Sequence, residues 1–341
     1  MRIYFATNRN PDSVDLPTDF GSLFSPHGLT DLRFGSAEVS GAKLDRYILD
    51  VAAEKLDVGL AKAHRNQLGD QVLGSQAVFE QVRAEMVAGR QDCMVFIHGF
   101  NVSFQEAISR TAQLKQFYGG RPMIWLVFTW PSDGSLLPFK AYASDRDDAR
   151  ASGVALGRGL QKLAGFLQGS RPEDYCGQRL HLMTHSMGAY ALRWALQSIR
   201  GADGSGLRRL MEHIVMFAAD EDDDAFELDH KLQALPDMAR RVSLYHNAED
   251  LVLVTSDMTK RNPDRLGAAG PRNARALPDK VSVVDCEPVL SFKQDPKGHA
   301  YYIRNTSVRQ DVLSVLDGAA PIDIKGRQYQ VDTRTFRLRK V

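Results

Sequence analysis

From about residue 90 onward the sequence alternates short, unbroken apolar runs with stretches of helical pattern. Cys93-Met94-Val95-Phe96-Ile97 shows no polar alternation. A strand with one face in water alternates, so this run predicts a strand covered on both faces. Met123 to Trp130, Leu180 to Thr184, His213 to Ala219, Val242 to Tyr245 and Val281 to Val284 read the same way. Helical patterns fall between and after them, at about Ser103 to Tyr118, Ser144 to Leu167, Ala189 to Ile199, near Leu251, and Val308 to Leu316. Ser103 suits an N-cap, and Gly119-Gly120 stops the first of these helices. Strands joined by helical crossovers run parallel. The expectation is α/β, a mostly parallel central sheet with helices on both faces.

Residues 1–60 read differently. Arg2 to Ala6, Ser36 to Val39 and Asp45 to Val51 predict shorter strands, an antiparallel extension of the same sheet. No Gly/Ser linker or shift in composition separates them from the rest. The expectation is one domain over 1–341, with 1–60 as N-terminal extension, 90–316 as core and 318–341 as tail. Residues 261–280, rich in Arg, Asn, Pro, Gly and Ala, predict a surface excursion. Ile322 to Val341 alternates polar and apolar residues and predicts a strand pair.

Charge narrows the partners. Lys and Arg number 43 against 42 Asp and Glu, a formal balance of +1. That removes the electrostatic reason to expect a nucleic-acid or anionic-membrane partner. No apolar run approaches the roughly 18 residues needed to span a bilayer. The start, Met1 to Ala6, turns polar at Thr7, too soon for a signal peptide, so a cytoplasmic location is expected. Cys93, Cys176 and Cys286 cannot all pair and match no zinc or redox spacing. Reduced, spectator thiols are expected.

The chemistry concentrates in Leu180-His181-Leu182-Met183-Thr184-His185-Ser186-Met187-Gly188. A buried strand ends at a serine, and a helix begins directly after it. That sharp turn is how an α/β-hydrolase sheet exposes a nucleophile above its edge. Small residues are needed two positions either side. Gly188 satisfies the later position, while Thr184 stands where Gly is commoner.

A serine hydroxyl needs a histidine base held by an acid, in the chain order Ser, Asp or Glu, His. Of the histidines after Ser186, only His299 follows the last core strand expected from these runs. It is the expected base. His185, the direct neighbour, should point away from the hydroxyl. Asp250, after the second strand beyond the nucleophile, is preferred as the acid over Asp220, with Glu249 and Asp257 weaker choices. The run Asp220-Glu221-Asp222-Asp223-Asp224 otherwise reads as a solvated loop or helix start. It lacks the alternation and central Gly of a calcium loop. The oxyanion donors expected are the N–H groups of Met187, next to the nucleophile, and of Phe100, in the loop Ile97-His98-Gly99-Phe100-Asn101.

Five segments, taken together, carry a family resemblance: Thr7-Asn8-Arg9, Ile97 to Asn101, Phe128-Thr129-Trp130-Pro131-Ser132, Thr184 to Gly188, and Gly298-His299-Ala300-Tyr301-Tyr302. The chain resembles the bacterial α/β-hydrolases of domain-of-unknown-function family 900, within the esterase/lipase superfamily, from about residue 2 to 316. The resemblance implies an α/β-hydrolase fold, a Ser186, Asp250 and His299 triad, and Phe100 and Met187 as oxyanion donors. Thr184 is normal for that family, which also tends to carry Tyr, Asp and Arg in the segment holding Tyr142, Asp145 and Arg146. A place near the pocket mouth, or helix-start capping, is the expectation for these three.

The reading is a serine hydrolase that cleaves small-molecule carboxylic esters through an acyl-enzyme, with no cofactor and no metal. Trp130, Phe139 and Met187 are candidates for an apolar acyl pocket, or plain core. A thioesterase or acyltransferase would use the same triad, and a non-catalytic binding protein of the same fold is the rival from another class.

Overall fold

The computed structural model describes residues 1–13, 17–52, 74–132, 138–169, 177–203, 209–258 and 264–340. Its strands in chain order are β1 (Arg2–Thr7), β2 (Arg9–Pro11), β3 (Phe20–Phe24), β4 (Arg33–Ser40), β5 (Arg46–Val51), β6 (Asp92–Ile97), β7 (Met123–Thr129), β8 (Leu180–His185), β9 (Met211–Phe217), β10 (Ala239–His246), β11 (Val281–Asp285), β12 (Arg327–Gln330) and β13 (Thr335–Leu338). The helices are α1 (Gly74–Gly89), α2 (Phe104–Phe117), α3 (Pro138–Gly169), α4 (Gly188–Asp203), α5 (Leu251–Met258), α6 (Leu266–Ala269), α7 (Tyr301–Arg304) and α8 (Thr306–Leu316).

Eleven strands make one sheet, in the order β12-β13-β11-β10-β9-β8-β6-β7-β1-β4-β5. From β13 to β1 every neighbouring pair is parallel. At each end the pairing turns antiparallel, β12 on β13 and β4 and β5 beyond β1. Every residue of β6, β7 and β8 is buried, as the unbroken apolar runs require. Side chains alternate between two cores. Cys93, Val95 and Ile97 face one, Met94 and Phe96 the other.

The N-terminal strands are antiparallel as expected, β1 pairing antiparallel with β4. On its other side β1 lies parallel to β7, with Tyr4 opposite Leu126. The small β2–β3 pair and helix α1 were not foreseen. Val78, Phe79, Val82 and Met86 bury one face of α1. Ser103 caps α2 as expected, in a full capping box: Glu106 N–H donates to Ser103 Oγ at 3.2 Å and Ser103 N–H to Glu106 Oε2 at 2.8 Å.

Two C-terminal expectations also change. Val281–Asp285 is not the last strand of the sheet, because β13 pairs parallel with it. The tail hairpin is pinned by Arg327, fully buried, whose Nε and Nη2 donate to Asp311 of α8 at 2.7 and 2.8 Å. Tyr245 Oη donates to the same carboxylate. A buried guanidinium has to be paired this way to offset its lost hydration. The 261–280 segment is not a simple surface excursion either. Arg265, Leu266 and Gly267 are buried, and Gly267 N–H donates to Ala219 O at 2.9 Å.

Among the described residues, no helix is long and apolar enough to cross a membrane. Cys93 and Cys286 are both buried; Cys176 lies outside the described residues.

The Arg327–Asp311 pair gives a direct test. Arg327→Met strands a buried carboxylate and should cost about 3–5 kcal/mol in urea unfolding. Adding Asp311→Leu should recover part of that loss, because the orphaned charge is gone. A single variant within 1 kcal/mol of wild type, on the order of a surface change, would show that the hairpin is not held by this pair.

Candidate active site

β8 hands over to α4 through Ser186, which holds a left-handed backbone at φ +53°. A non-glycine residue rarely accepts that conformation, and such strain persists only where neighbours impose it. Here they do. Ser186 N–H donates to Phe217 O at 3.0 Å, and Ser186 O accepts the N–H groups of Ala189 and Asp220 at 3.0 and 3.1 Å. Gly188 is required because a Cβ there would collide with the carbonyl oxygens of Ile97 and His98.

Asp250 is fully buried and caps α5. Its Oδ1 accepts the N–H groups of Val252 and Leu253 at 3.0 and 3.1 Å. Its Oδ2 faces His299 Nδ1 at 2.7 Å. One carboxylate thus serves a helix end and an imidazole together. The two loops are stapled around this contact. Gly298, at φ +64°, lets the chain pass so close that a Cβ would stand 2.6 Å from Asn247 Nδ2. Asn247 Nδ2 donates to Gly298 O at 2.8 Å, and Leu251 N–H to Lys297 O at 3.0 Å.

His185 supports the imidazole from behind. Burial holds it well below the usual histidine range, so it is neutral, and its Nε2–H donates to His299 O at 3.0 Å. Its ring stacks on Tyr302 at 4.2 Å. Tyr301 Oη donates to Tyr245 O and accepts Ala218 N–H, each at 2.9 Å. The two tyrosines after His299 therefore anchor its loop to the ends of β8, β9 and β10.

The loop after β6 lies on the other side of Ser186. His98 is fully buried, and burial keeps it neutral, well below its usual range. Its Nδ1–H donates to Gly99 O at 2.8 Å, and its Nε2 accepts from Thr129 Oγ1 at 3.2 Å and Trp130 N–H at 3.3 Å. Trp130 stacks on it at 5.2 Å and returns an indole N–H to His98 O at 3.2 Å. Trp130 is therefore spent on the loop, and both it and Met187 are fully buried. Phe139's side chain lies outside what the structure describes. The N–H groups of Phe100 and Met187 have no acceptor among the described residues.

Asp220 is brought elsewhere. Its carboxylate accepts Tyr142 Oη and stands 3.5 Å from Arg265 Nε. The acidic run around it is not a solvated loop. Arg193 pairs with Glu221, Lys231 with Asp222 and Asp224, Arg265 with Asp222, and Arg272 with Asp223. Burial pushes the Glu221 carboxyl up to about 7 despite Arg193. Nothing in the bare run of acids signalled these partners, which come from α4, the 264–272 segment and Lys231. Glu249 is exposed, and Asp257's side chain is not described.

A cavity of about 770 Å³ opens against His185 and His299, walled by Arg110, Phe117, Val252, Lys297 and Arg304. Ser186 is not among the residues that line it. Among the described residues, no three His, Cys, Asp or Glu side chains are grouped to hold a metal ion.

A family model described as "Alpha/beta hydrolase of unknown function (DUF900)" matches residues 75–315. The chain belongs to this family. Its sheet, parallel through the centre with antiparallel N-terminal strands, is the α/β-hydrolase fold expected from sequence. No curated protein sequence matches the chain. Among solved structures it is similar to Aspergillus fumigatus lipase B at 10% identity and a TM-score of 0.25, covering 39% of this chain and 25% of that one. It is similar also to phospholipase PlaB from Legionella pneumophila in complex with thio-NAD, at 12% identity and 0.25, covering 62% and 41%. The chain thus spans less than half the length of each.

Sequence reasoning in this α/β-hydrolase gave no role to Arg9, Thr129 or Ser132, which recurred only as motif letters. All three are buried and gather around loop 98–102, Arg9 Nε donating to Thr129 Oγ1 at 2.9 Å. No local signal reveals them, because their partners lie far along the chain.

The neutral buried histidines set an acid limit on stability. His98 and His185 are held low by burial, and so is His213, brought down to about 3. Unfolded, each titrates near its ordinary value of about 6.5. Above that pH both states are neutral and no stability depends on them. As pH falls below it, the unfolded chain binds protons the fold refuses. Stability is then lost at up to about 1.4 kcal/mol per pH unit for each histidine. Urea unfolding should give a lower free energy at pH 5.5 than at 7.5, and His213→Phe should reduce that slope by about one proton. Equal stabilities at the two pH values would contradict the burial assigned to these rings.

Proposed function

We propose that the protein is a serine hydrolase acting on small-molecule carboxylic esters through Ser186, His299 and Asp250. The observation that carries this reading is the 2.7 Å contact between His299 Nδ1 and buried Asp250, on loops stapled to each other at the same sheet edge as the strained Ser186. Family membership supports hydrolase chemistry in general. The residue roles are inferred from the geometry, and the ester substrate is part of the proposal.

With Nδ1–H donated to Asp250, His299 Nε2 is left with its lone pair to take the Ser186 hydroxyl proton. The Ser186 oxygen attacks the ester carbonyl. The oxyanion that forms is held by the N–H groups of Phe100 and Met187, which no described protein atom accepts. His299 returns the proton to the leaving alcohol. Water, deprotonated by the same base, then releases the acyl group from Ser186 as a carboxylate.

Ser186→Ala should lower kcat on short p-nitrophenyl esters by roughly 10⁴–10⁶, with the fold intact by circular dichroism. Asp250→Asn should cost on the order of 10⁴, because the amide favours the wrong imidazole tautomer. A Ser186→Ala enzyme within tenfold of wild type would end this reading. An ester and thioester chain-length panel against the same control sets the acyl and alcohol preference.

A further inference from the structure

The loop that carries Phe100 has several of its other polar backbone groups held. His98 O and Gly99 O accept Trp130 Nε1–H at 3.2 Å and His98 Nδ1–H at 2.8 Å. Asn101, itself left-handed at φ +56°, donates its N–H to Asp145 Oδ2 at 3.0 Å. Val102 donates its N–H to Ser132 Oγ at 3.1 Å, and its carbonyl accepts Arg9 Nη2 at 2.6 Å. The Ser132 hydroxyl, having accepted Val102, donates to Asp145. Arg9 Nη1 reaches Gly21 O at 3.1 Å and Ser132 O at 3.5 Å. Arg9, Ser132 and Asp145 are each no more than 1% exposed.

We propose that Asp145, Ser132 and Arg9 are positioning residues that lock the loop so that the Phe100 N–H stays turned toward the reacting carbonyl. This rests on the serine-hydrolase reading above. The physical reason is preorganisation: an oxyanion donor is worth most when it does not have to be reoriented as charge develops. A loop free to turn a peptide unit would pair the Phe100 N–H with its own carbonyls or with water. Here those carbonyls are taken, and the two peptide N–H groups after Phe100 are held by Asp145 and Ser132. Ser132 links the two charged side chains, its carbonyl accepting Arg9 Nη1 and its hydroxyl donating to Asp145.

The role is separable from plain structural support. Asp145→Ala and Ser132→Ala should lower kcat about 10–100-fold, a fraction of what a lost donor costs, with KM within about threefold. Affinity for a trifluoromethyl ketone, whose adduct places an oxyanion on the same N–H groups, should fall by the same factor. Asp145→Asn keeps an acceptor for the Asn101 N–H and should stay within about fivefold of wild type. If Asp145→Ala does not fold, Ser132→Ala carries the test, because it removes one hydroxyl and no charge. Amide exchange, measured in a Ser186→Ala background, needs no turnover: the Asn101 and Val102 amides should exchange at least tenfold faster in Asp145→Ala or Ser132→Ala. Unchanged kcat, a loss confined to KM, or unchanged exchange overturns the proposal. If wild type cleaves no ester while exchange still responds, the function reading fails and the frame stands as a purely structural lock.

Discussion

The left-handed backbone at Ser186 is the constraint from which the top of the sheet is built. It is unfavourable for a serine, and it exists only because β9 and the chain beyond it hold both of the residue's backbone groups. Phe217 supplies the acceptor and Asp220 the donor, so the strand next door sets the pose of Ser186. That requires β8 and β9 to be parallel and in register, His185 opposite Phe217. A parallel sheet puts every strand's C-terminal end on one edge. The loops carrying Asp250 and His299 therefore arrive at that edge, each from its own strand.

Much of this was legible because it is encoded locally. An unbroken run such as Met94-Val95-Phe96 announces a doubly covered strand wherever it occurs. Ser103 with Glu106 announces a helix start. The order Ser186, Asp250, His299 could be argued from topology, since an α/β sheet leaves few places for a base. The contact between Asp250 and His299 stands where that order put it, and Asp220 is engaged with Tyr142 and Arg265 instead.

What was not legible depends on long-range polar pairing. Arg9 lies in a polar N-terminal stretch that gives no sign of its partners, yet it is buried among Gly21, Val102, Thr129 and Ser132. The acids from Asp220 to Asp224 look solvated because their cations are dispersed in sequence, at Arg193, Lys231, Arg265 and Arg272. The tail hairpin was foreseen as a strand pair, but its seat beside β11 depends on Arg327 meeting Asp311. Periodicity sees faces; it does not see which charge will neutralise which.

The placement of Arg9 also bears on how the chain is made. Its partner Thr129 is 120 residues further along, and Val102 is 93. During synthesis the guanidinium must stay hydrated until β7 has emerged and β1 can lie down beside it. β1 lies between β4 and β7, so its seat is complete only once β7 is present, and the desolvation of one arginine waits on that event. Contacts of such separation slow a folding reaction, since loop closure precedes any reward. The cradle around Arg9 is thus closed by residues far along the chain rather than by its own neighbours.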